Sequence, residues 1–271
     1  MDAQSVLVIL AEQAGAEAAL SHAAAAALPR TTIRVLHVRV DPMSTIMPTE
    51  EILSKKREEA LLREGEIEAA ALRPVYEAWA GGLPAGLVAE WLDVAGTEAL
   101  RIGQYAKDAA LLVMAAPEPA SRGHALQAFH AALFDVRRPL LAVPSDHRAG
   151  PVRRILVGWK DGEASRRSIG DALPWLRQAA NVQVVHVGEP DKGEPAAADQ
   201  FLASRGIKAA ARAVAEDGIA VGERLLAEAQ AVRADWVVMG AYRHNQLMEW
   251  VLGGITRTIL DQARLPIFLR H

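Results

Sequence analysis

An internal repeat constrains this chain more than any other feature. The apolar segment at residues 6–8 recurs at 155–157, and at the same separation His37 recurs as His186, each inside a run rich in valine. Later apolar segments recur at a smaller separation, so the first half must contain an insertion. The repeat predicts two copies of one domain, and 271 residues is an ordinary length for two.

The insertion is predicted to be a long charged helix at residues 49–71. Thr49 is a candidate N-cap, and an apolar stripe begins just after it. Pro74 and the glycine pair at 81–82 are predicted to break the helix up towards its end. In the same place the second half has only a short predicted helix near residues 196–204.

Short apolar segments alternate with helical segments in both halves, which predicts the α/β class. Strands are predicted near residues 5–10, 32–38, 87–94, 110–115 and 139–143, and again near residues 153–158, 182–187, 208–215, 235–239 and 266–270. We therefore expect two tandem open parallel five-stranded sheets with helices on both faces. The predicted domains are 1–146, which carries the extra helix, and 151–271, with a linker at 144–151.

Composition excludes several kinds of site. The chain has no cysteine, which excludes disulfides and thiolate metal sites, and its net charge of −3 gives no basic footprint for nucleic acid. His124 and His130 do not share a helix face, so we expect no metal site. No signal peptide or membrane span is expected, which favours a soluble cytoplasmic protein. Common enzyme motifs are missing from the sequence, so we expect no strong catalysis and no catalytic residue.

The segment after the fourth strand of the second half is the candidate ligand-binding loop. Gly240 lets the chain leave the strand sharply, and Gly253 and Gly254 are placed to expose backbone N–H groups at the start of the last helix. A phosphate bound there would be assisted by the Thr256 hydroxyl or the Arg243 charge. Ligands of open parallel sheets bind beyond the carboxyl ends of the strands, so the neighbouring strand ends belong to the same site.

Several segments together resemble the universal stress protein family, which includes UspA. They are the run from Val238-Met239-Gly240 to Leu260, the segment Leu265-Pro266-Ile267, the opening Arg154-Ile155-Leu156-Val157 with Glu163-Ala164-Ser165, and the paired His-Val strands. The resemblance covers the second half well and the first half in outline, as in a tandem-type member. It implies an adenine nucleotide alpha hydrolase-like, Rossmann-like fold and a stress-response protein. ATP or another adenine nucleotide would be the first ligand to test.

The loop departs from the family pattern at two positions. Nucleotide-binding members carry Gly-x2-Gly-x9-Gly-Ser/Thr, whereas this chain has Arg243 in place of the second glycine and Gly254 in place of the Ser/Thr. Lys160 stands where the family usually has an aspartate after the first strand. Arg243 either replaces the lost hydrogen bonds with its charge or fills the pocket. The first half has no comparable loop, and we expect no phosphate site there.

The candidate site follows from the loop and the strand ends, with a small phosphate ligand as the expected partner. Its predicted residues are Gly158, Trp159, Lys160, Val187, Met239, Gly240, Arg243, His244, Asn245, Gly253, Gly254, Ile255 and Thr256. Trp159 either stacks on a base or is buried, and His244 either touches an anion or is solvated. His37 and His186 alternate with apolar residues, which favours a structural role over a catalytic one.

Two further hypotheses concern assembly and function. The strand at 139–143 is placed to pair with the strand at 266–270 inside one chain, which would make the monomer a pseudo-dimer that is free to dimerise further. If the altered loop no longer binds nucleotide, the protein would be an interaction module, in which the helix at 49–71 contacts a partner. A slow nucleotide hydrolase is the third hypothesis.

Overall fold

A computed structural model describes residues 5–41, 55–118, 121, 123–189, 193–241 and 254–271. The chain forms two compact units, Met1–Arg138 (unit 1) and Pro139–His271 (unit 2). Every predicted strand is present, with ends shifted by at most a few residues. None of the helices within the described ranges combines the length and the apolar character needed to cross a bilayer.

Unit 1 is built on four parallel strands in the order β3-β2-β1-β4. Its elements are β1 (Ser5–Ile9), α1 (Ala16–Ala26), β2 (Thr32–Val40), α2 (Lys55–Gly81), β3 (Val88–Gly96), α3 (Glu98–Tyr105), β4 (Ala109–Ala115) and α4 (Gly123–His130), which continues as a π-helical turn (Ala131–Asp135). The strand order reverses between β1 and β4, because β2 and β3 lie on one side of β1 and β4 on the other.

Unit 2 repeats this order and adds strands at one side. Its elements are β5 (Leu140–Val143), β6 (Arg154–Gly158), α5 (Glu163–Leu176), β7 (Asn181–Val187), α6 (Glu194–Ala203), β8 (Ala210–Val214), α7 (Val221–Ala231), β9 (Trp236–Gly240), α8 (Gly254–Gln262) and β10 (Ile267–Arg270). The strand order is β5-β10-β9-β6-β7-β8, and the reversal falls between β6 and β9. The α/β class and the parallel sheets predicted from the sequence are confirmed.

Strand β5 changes the expected count of five strands in each half. It pairs antiparallel with β10, with Leu141 opposite Phe268, and it groups with unit 2. The pairing expected between residues 139–143 and 266–270 is therefore present. The described residues give four strands in unit 1 and six in unit 2, because β5 lies before the linker in sequence and beside β10 in space.

Helix α2 runs past the proline that was expected to break it. Pro74 lies inside the helix, so the break predicted there is wrong, whereas the helix ends at Gly81, as the glycine pair predicted. Pro74 is on the exposed face, where water can bond to the carbonyl that its missing N–H leaves free. Leu72 and Tyr76 on either side of it are buried and hold the helix on the sheet. The first residues of the predicted helix, 49–54, lie outside the described residues.

Candidate functional site

Unit 2 contains a cleft of about 610 Å3 where the strand order reverses. The carboxyl ends of four strands reach it. The lining includes Gly158 of β6, Val187 of β7, Gly240 of β9 and Ala215, which directly follows β8. The register places Gly158 beside Met239, which also lines the cleft. This is where open parallel sheets bind ligands, because loops leaving neighbouring strands in opposite directions open a crevice.

Trp159 and Lys160 follow β6 and line the cleft in different ways. The Trp159 side chain is 3% exposed and packs against Phe201 of α6, with the ring centroids 5.6 Å apart. The structure therefore favours burial for Trp159 over an open stacking platform. Lys160 is exposed, and its backbone N–H donates to the Ser165 hydroxyl at 3.4 Å. It is the only lysine or arginine that lines the cleft within the described part of the chain.

Gly240 is held against the start of α5. A Cβ added at Gly240 would lie 2.8 Å from the backbone carbon of Ala164, 2.9 Å from its Cβ and 3.0 Å from the Ser165 nitrogen. The next turn of α5 is fixed to the same strand, because the Ser168 hydroxyl donates to the Met239 carbonyl at 2.8 Å. Gly240 is thus required by the close approach of a helix to a strand, whether or not a ligand binds.

The predicted loop is described only at its two ends. Arg243, His244, Asn245 and Gly253 lie outside the described residues. Gly254 is the first residue of α8. Ile255 lines the cleft and is 38% exposed, whereas Thr256 is 1% exposed and does not line it.

Five polar residues that line the cleft were not predicted as site residues from the sequence. They are Ser165, His186, Glu189, Glu194 and Glu216. His186 is the penultimate residue of β7, and Glu189 and Glu216 come within two residues of the ends of β7 and β8. The strand-end rule was therefore sufficient to find these three residues. Glu194 begins α6, and its carboxylate accepts the Asp161 backbone N–H at 2.8 Å. Carboxylates therefore dominate the polar lining of the described cleft.

At the same edge of unit 1, the described residues line a cavity of only about 10 Å3, which lies beside Leu10 and Met114. The imidazole of His124 from α4 occupies this edge, with its Nε2 atom 2.9 Å from the Ala11 carbonyl and 3.3 Å from the Glu68 carboxylate of α2. Among the described residues, no group of three His, Cys, Asp or Glu side chains is placed to hold a metal ion.

A buried acid lies near this histidine. Glu98 is 5% exposed, and its Oε1 atom has no hydrogen-bond partner in the described part of the protein. Burial raises the pKa of Glu98, against the opposing effects of a backbone hydrogen bond and of His124. The hydrogen bond to Glu68 raises the pKa of His124, with burial acting in the opposite direction. Side chains from α2, α3 and α4 thus bring two carboxyl groups to the edge where an anion would otherwise approach.

These shifts predict that unit 1 loses stability as the pH rises. For His124 the stabilisation by Glu68 is complete below the ordinary pKa and is lost as pH rises through the raised one, whereas buried Glu98 adds a cost of ionisation as pH rises above its ordinary pKa. For His124 the loss begins at about pH 6.5 and continues above it. Glu68→Gln should flatten this dependence in denaturant unfolding followed across pH. Glu64→Gln, an exposed change of the same charge on α2, should leave it intact, and equal slopes in both variants would contradict the assignment.

Comparison with known proteins shows which solved structures share this fold. The chain matches no protein-family model and no curated protein. A universal stress protein from Archaeoglobus fulgidus DSM 4304 is similar in structure, with a TM-score of 0.70, 14% identity and coverage of 98% of this chain and 95% of that one. A Pseudomonas aeruginosa UCBPP-PA14 protein named as a universal stress protein gives a TM-score of 0.61, 14% identity and coverage of 99% and 93%.

A third structure comes from another class of protein. The cytoplasmic domain of a prokaryotic cation chloride cotransporter gives a TM-score of 0.55 at 12% identity, over 98% of this chain and 95% of that domain. At sequence identities this low, the structural similarity establishes a shared fold and leaves function open. Over nearly its whole length, the chain has the fold of the universal stress proteins.

Proposed function

We propose that this chain is a cytoplasmic universal stress protein that binds an adenine nucleotide or another small phosphate ligand through unit 2, without strong catalysis. The cleft at the strand reversal of unit 2 carries this proposal. Its volume of about 610 Å3 lies in the range of small-molecule sites. The cavity that the described residues of unit 1 line at the same edge is about 10 Å3, which supports unit 2 as the binding unit.

The polar lining supports a nucleotide bound in a particular orientation. Glu189, Glu194 and Glu216 offer hydrogen-bond acceptors, which suit the hydroxyl groups of a sugar or the amino group of a base. A phosphate next to these carboxylates would be repelled, so it belongs towards Lys160 or towards the start of α8. Ile255 gives the base an apolar surface at the mouth of the cleft.

A substitution that fills the cleft provides the test. Ala215 lines the cleft and is exposed, so Ala215→Trp adds a large side chain at the site without entering the core. Calorimetric titration with AMP, ADP and ATP should detect binding to the wild-type protein, and the variant should lose at least about tenfold in affinity. Ala227→Trp, at an exposed position of α7 that does not line the cleft, is the matched control.

The outcomes separate the alternatives. Retained binding in Ala215→Trp would place the ligand elsewhere, and no binding of any nucleotide by the folded wild-type protein at millimolar concentration would end the proposal. Release of phosphate from ATP above the buffer rate would favour the slow hydrolase over a protein that only binds.

An interaction module is the second candidate function. Leu62 and Ile67 of α2 are large apolar side chains that are 48% and 63% exposed, which is a feature of contact surfaces. The cotransporter domain shows that the same fold also occurs as one part of a larger protein. Failure to bind nucleotide, together with partner capture that depends on Leu62 and Ile67, would favour this candidate.

A further inference from the structure

His186 is held in one tautomer by the backbone. Its Nδ1 atom lies 3.1 Å from the Trp159 carbonyl oxygen. A carbonyl oxygen can only accept a hydrogen bond, so Nδ1 carries the proton, and Nε2 of the neutral ring keeps its lone pair. The nearest carboxylate oxygen, of Glu194, is 4.0 Å from Nδ1 and does not replace this bond. The ring therefore presents a hydrogen-bond acceptor in a fixed direction.

The cleft leaves this acceptor accessible. His186 lines the cleft, and its side chain is 11% exposed. Gly188 follows two residues later with φ of +149°, and a Cβ added there would lie 2.9 Å from Nε2. The glycine thus keeps the space beside Nε2 open. No hydrogen bond to Nε2 is formed by any residue that the structure describes.

Unit 1 provides an internal comparison, because His37 occupies the same position in the repeat. Its Nδ1 atom lies 2.9 Å from the Leu10 carbonyl, so the tautomer is the same. Its ring, however, is 1% exposed and stacks on Trp91, with centroids 6.3 Å apart and an interplanar angle of 20°. The backbone hydrogen bond is thus common to both units, and access to Nε2 is particular to unit 2.

Strand register explains why only one ring is covered. In unit 1, Val35 is paired with Trp91, whereas in unit 2 the corresponding Val184 is paired with Ala211. A large aromatic side chain therefore lies next to the histidine in one sheet, and a methyl group stands in its place in the other. The backbone hydrogen bond positions the imidazole in both units, whether or not the ring is exposed. The exposure of the His186 ring in unit 2 is therefore a separate feature.

We propose that His186 Nε2 is a ligand-selecting hydrogen-bond acceptor, which pairs with an N–H or O–H donor of the molecule bound in the cleft. The inference rests on the proposed function and specifies the chemistry of the ligand. Glu189, Glu194 and Glu216 also offer only acceptors, so this part of the cleft selects a donor-rich group. In an adenine nucleotide the donor is the amino group of the base or a hydroxyl group of the sugar.

One substitution removes the acceptor and keeps the positioning bond. In His186→Asn the side-chain amide can still donate to the Trp159 carbonyl, and no ring nitrogen remains at the position of Nε2. AMP affinity should fall about tenfold, which is the usual effect of losing one such hydrogen bond. His37→Asn makes the same change in unit 1 and should leave AMP affinity unchanged. Thermal unfolding of both variants would measure the cost to stability separately.

Ligand analogues identify the donor and do not depend on any variant. Purine riboside 5′-monophosphate lacks the amino group of the base and adds no other donor, and 2′-deoxy-AMP and 3′-deoxy-AMP each lack one hydroxyl group. One of the three should bind the wild-type protein about tenfold more weakly than AMP does, and that difference should vanish in His186→Asn.

The failures are distinguishable. A wild-type protein that binds no nucleotide would overturn the proposed function and this inference with it. Equal AMP affinity in the wild-type protein and in His186→Asn would overturn the inference alone, as would a tenfold preference that persists in the variant.

Discussion

Gly240→Val is expected to destabilise unit 2 by about 3 kcal/mol. The Cβ alone would come within 3.0 Å of three atoms at the start of α5, two of which belong to the backbone and cannot rotate away. The branched side chain of valine adds two methyl groups at the same point. Relief would require α5 to move off β9, which would break the Ser168 hydrogen bond to the Met239 carbonyl.

The matched control is Gly170→Val in α5. A Cβ at Gly170 has no neighbour within 4 Å, and glycine and valine are both poor helix formers, so the change should stay within about 0.5 kcal/mol. Denaturant unfolding gives the overall cost, and hydrogen exchange read by mass spectrometry assigns it to β9 and α5. Equal unfolding midpoints for the two variants would show that α5 accommodates the side chain.

The repeat made the element order predictable, because two copies of the same pattern check each other. The matching positions of His37 and His186 reappear as matching hydrogen bonds, from Nδ1 to the carbonyl of the residue that follows the preceding strand. The position of the cleft also followed from the sequence, since the strand-end rule depends only on the order of strands and helices. These features are local or topological, so the sequence pattern carries them.

Features that depend on long-range contacts were predictable only in part. Pairing of strand β5 with β10 depends on which edges meet in space, so the sequence indicated the pairing without giving the number of strands in each unit. Helix α2 continues through Pro74 because buried neighbours outweigh one lost hydrogen bond. The contact between Glu68 and His124 at the strand-end edge of unit 1 joins residues from two helices far apart in the sequence.

The sequence predicted where the cleft lies better than it predicted which polar groups line it. Lys160 and Arg243 drew attention to a modified phosphate loop, and Arg243 lies outside the described residues. The carboxylates and His186 give the described cleft an acceptor-rich character that no sequence motif indicated. Spacing predicts where backbone N–H groups gather, whereas the balance of donors and acceptors depends on which side chains face inward.

Phe268→Ala is expected to destabilise unit 2 by about 3–5 kcal/mol. Phe268 is 0% exposed and lies on β10, in register with Val238 of β9 and Leu141 of β5. Its ring also meets Trp175 and Trp236, at centroid distances of 5.7 and 6.4 Å. Truncation would leave a cavity among large rings, which cannot collapse into it without moving the strands.

Phe268→Leu tests whether the volume of the side chain carries this effect. Leucine keeps most of the apolar volume and loses only the aromatic contacts, so its cost should be well below that of alanine. Hydrogen exchange in β5, β9 and β10 should rise together in Phe268→Ala, because all three strands meet at this side chain. Faster exchange in β9 and β10 with β5 unchanged would contradict the assignment of β5 to the core of unit 2, since a strand sharing that core cannot remain protected when the core opens.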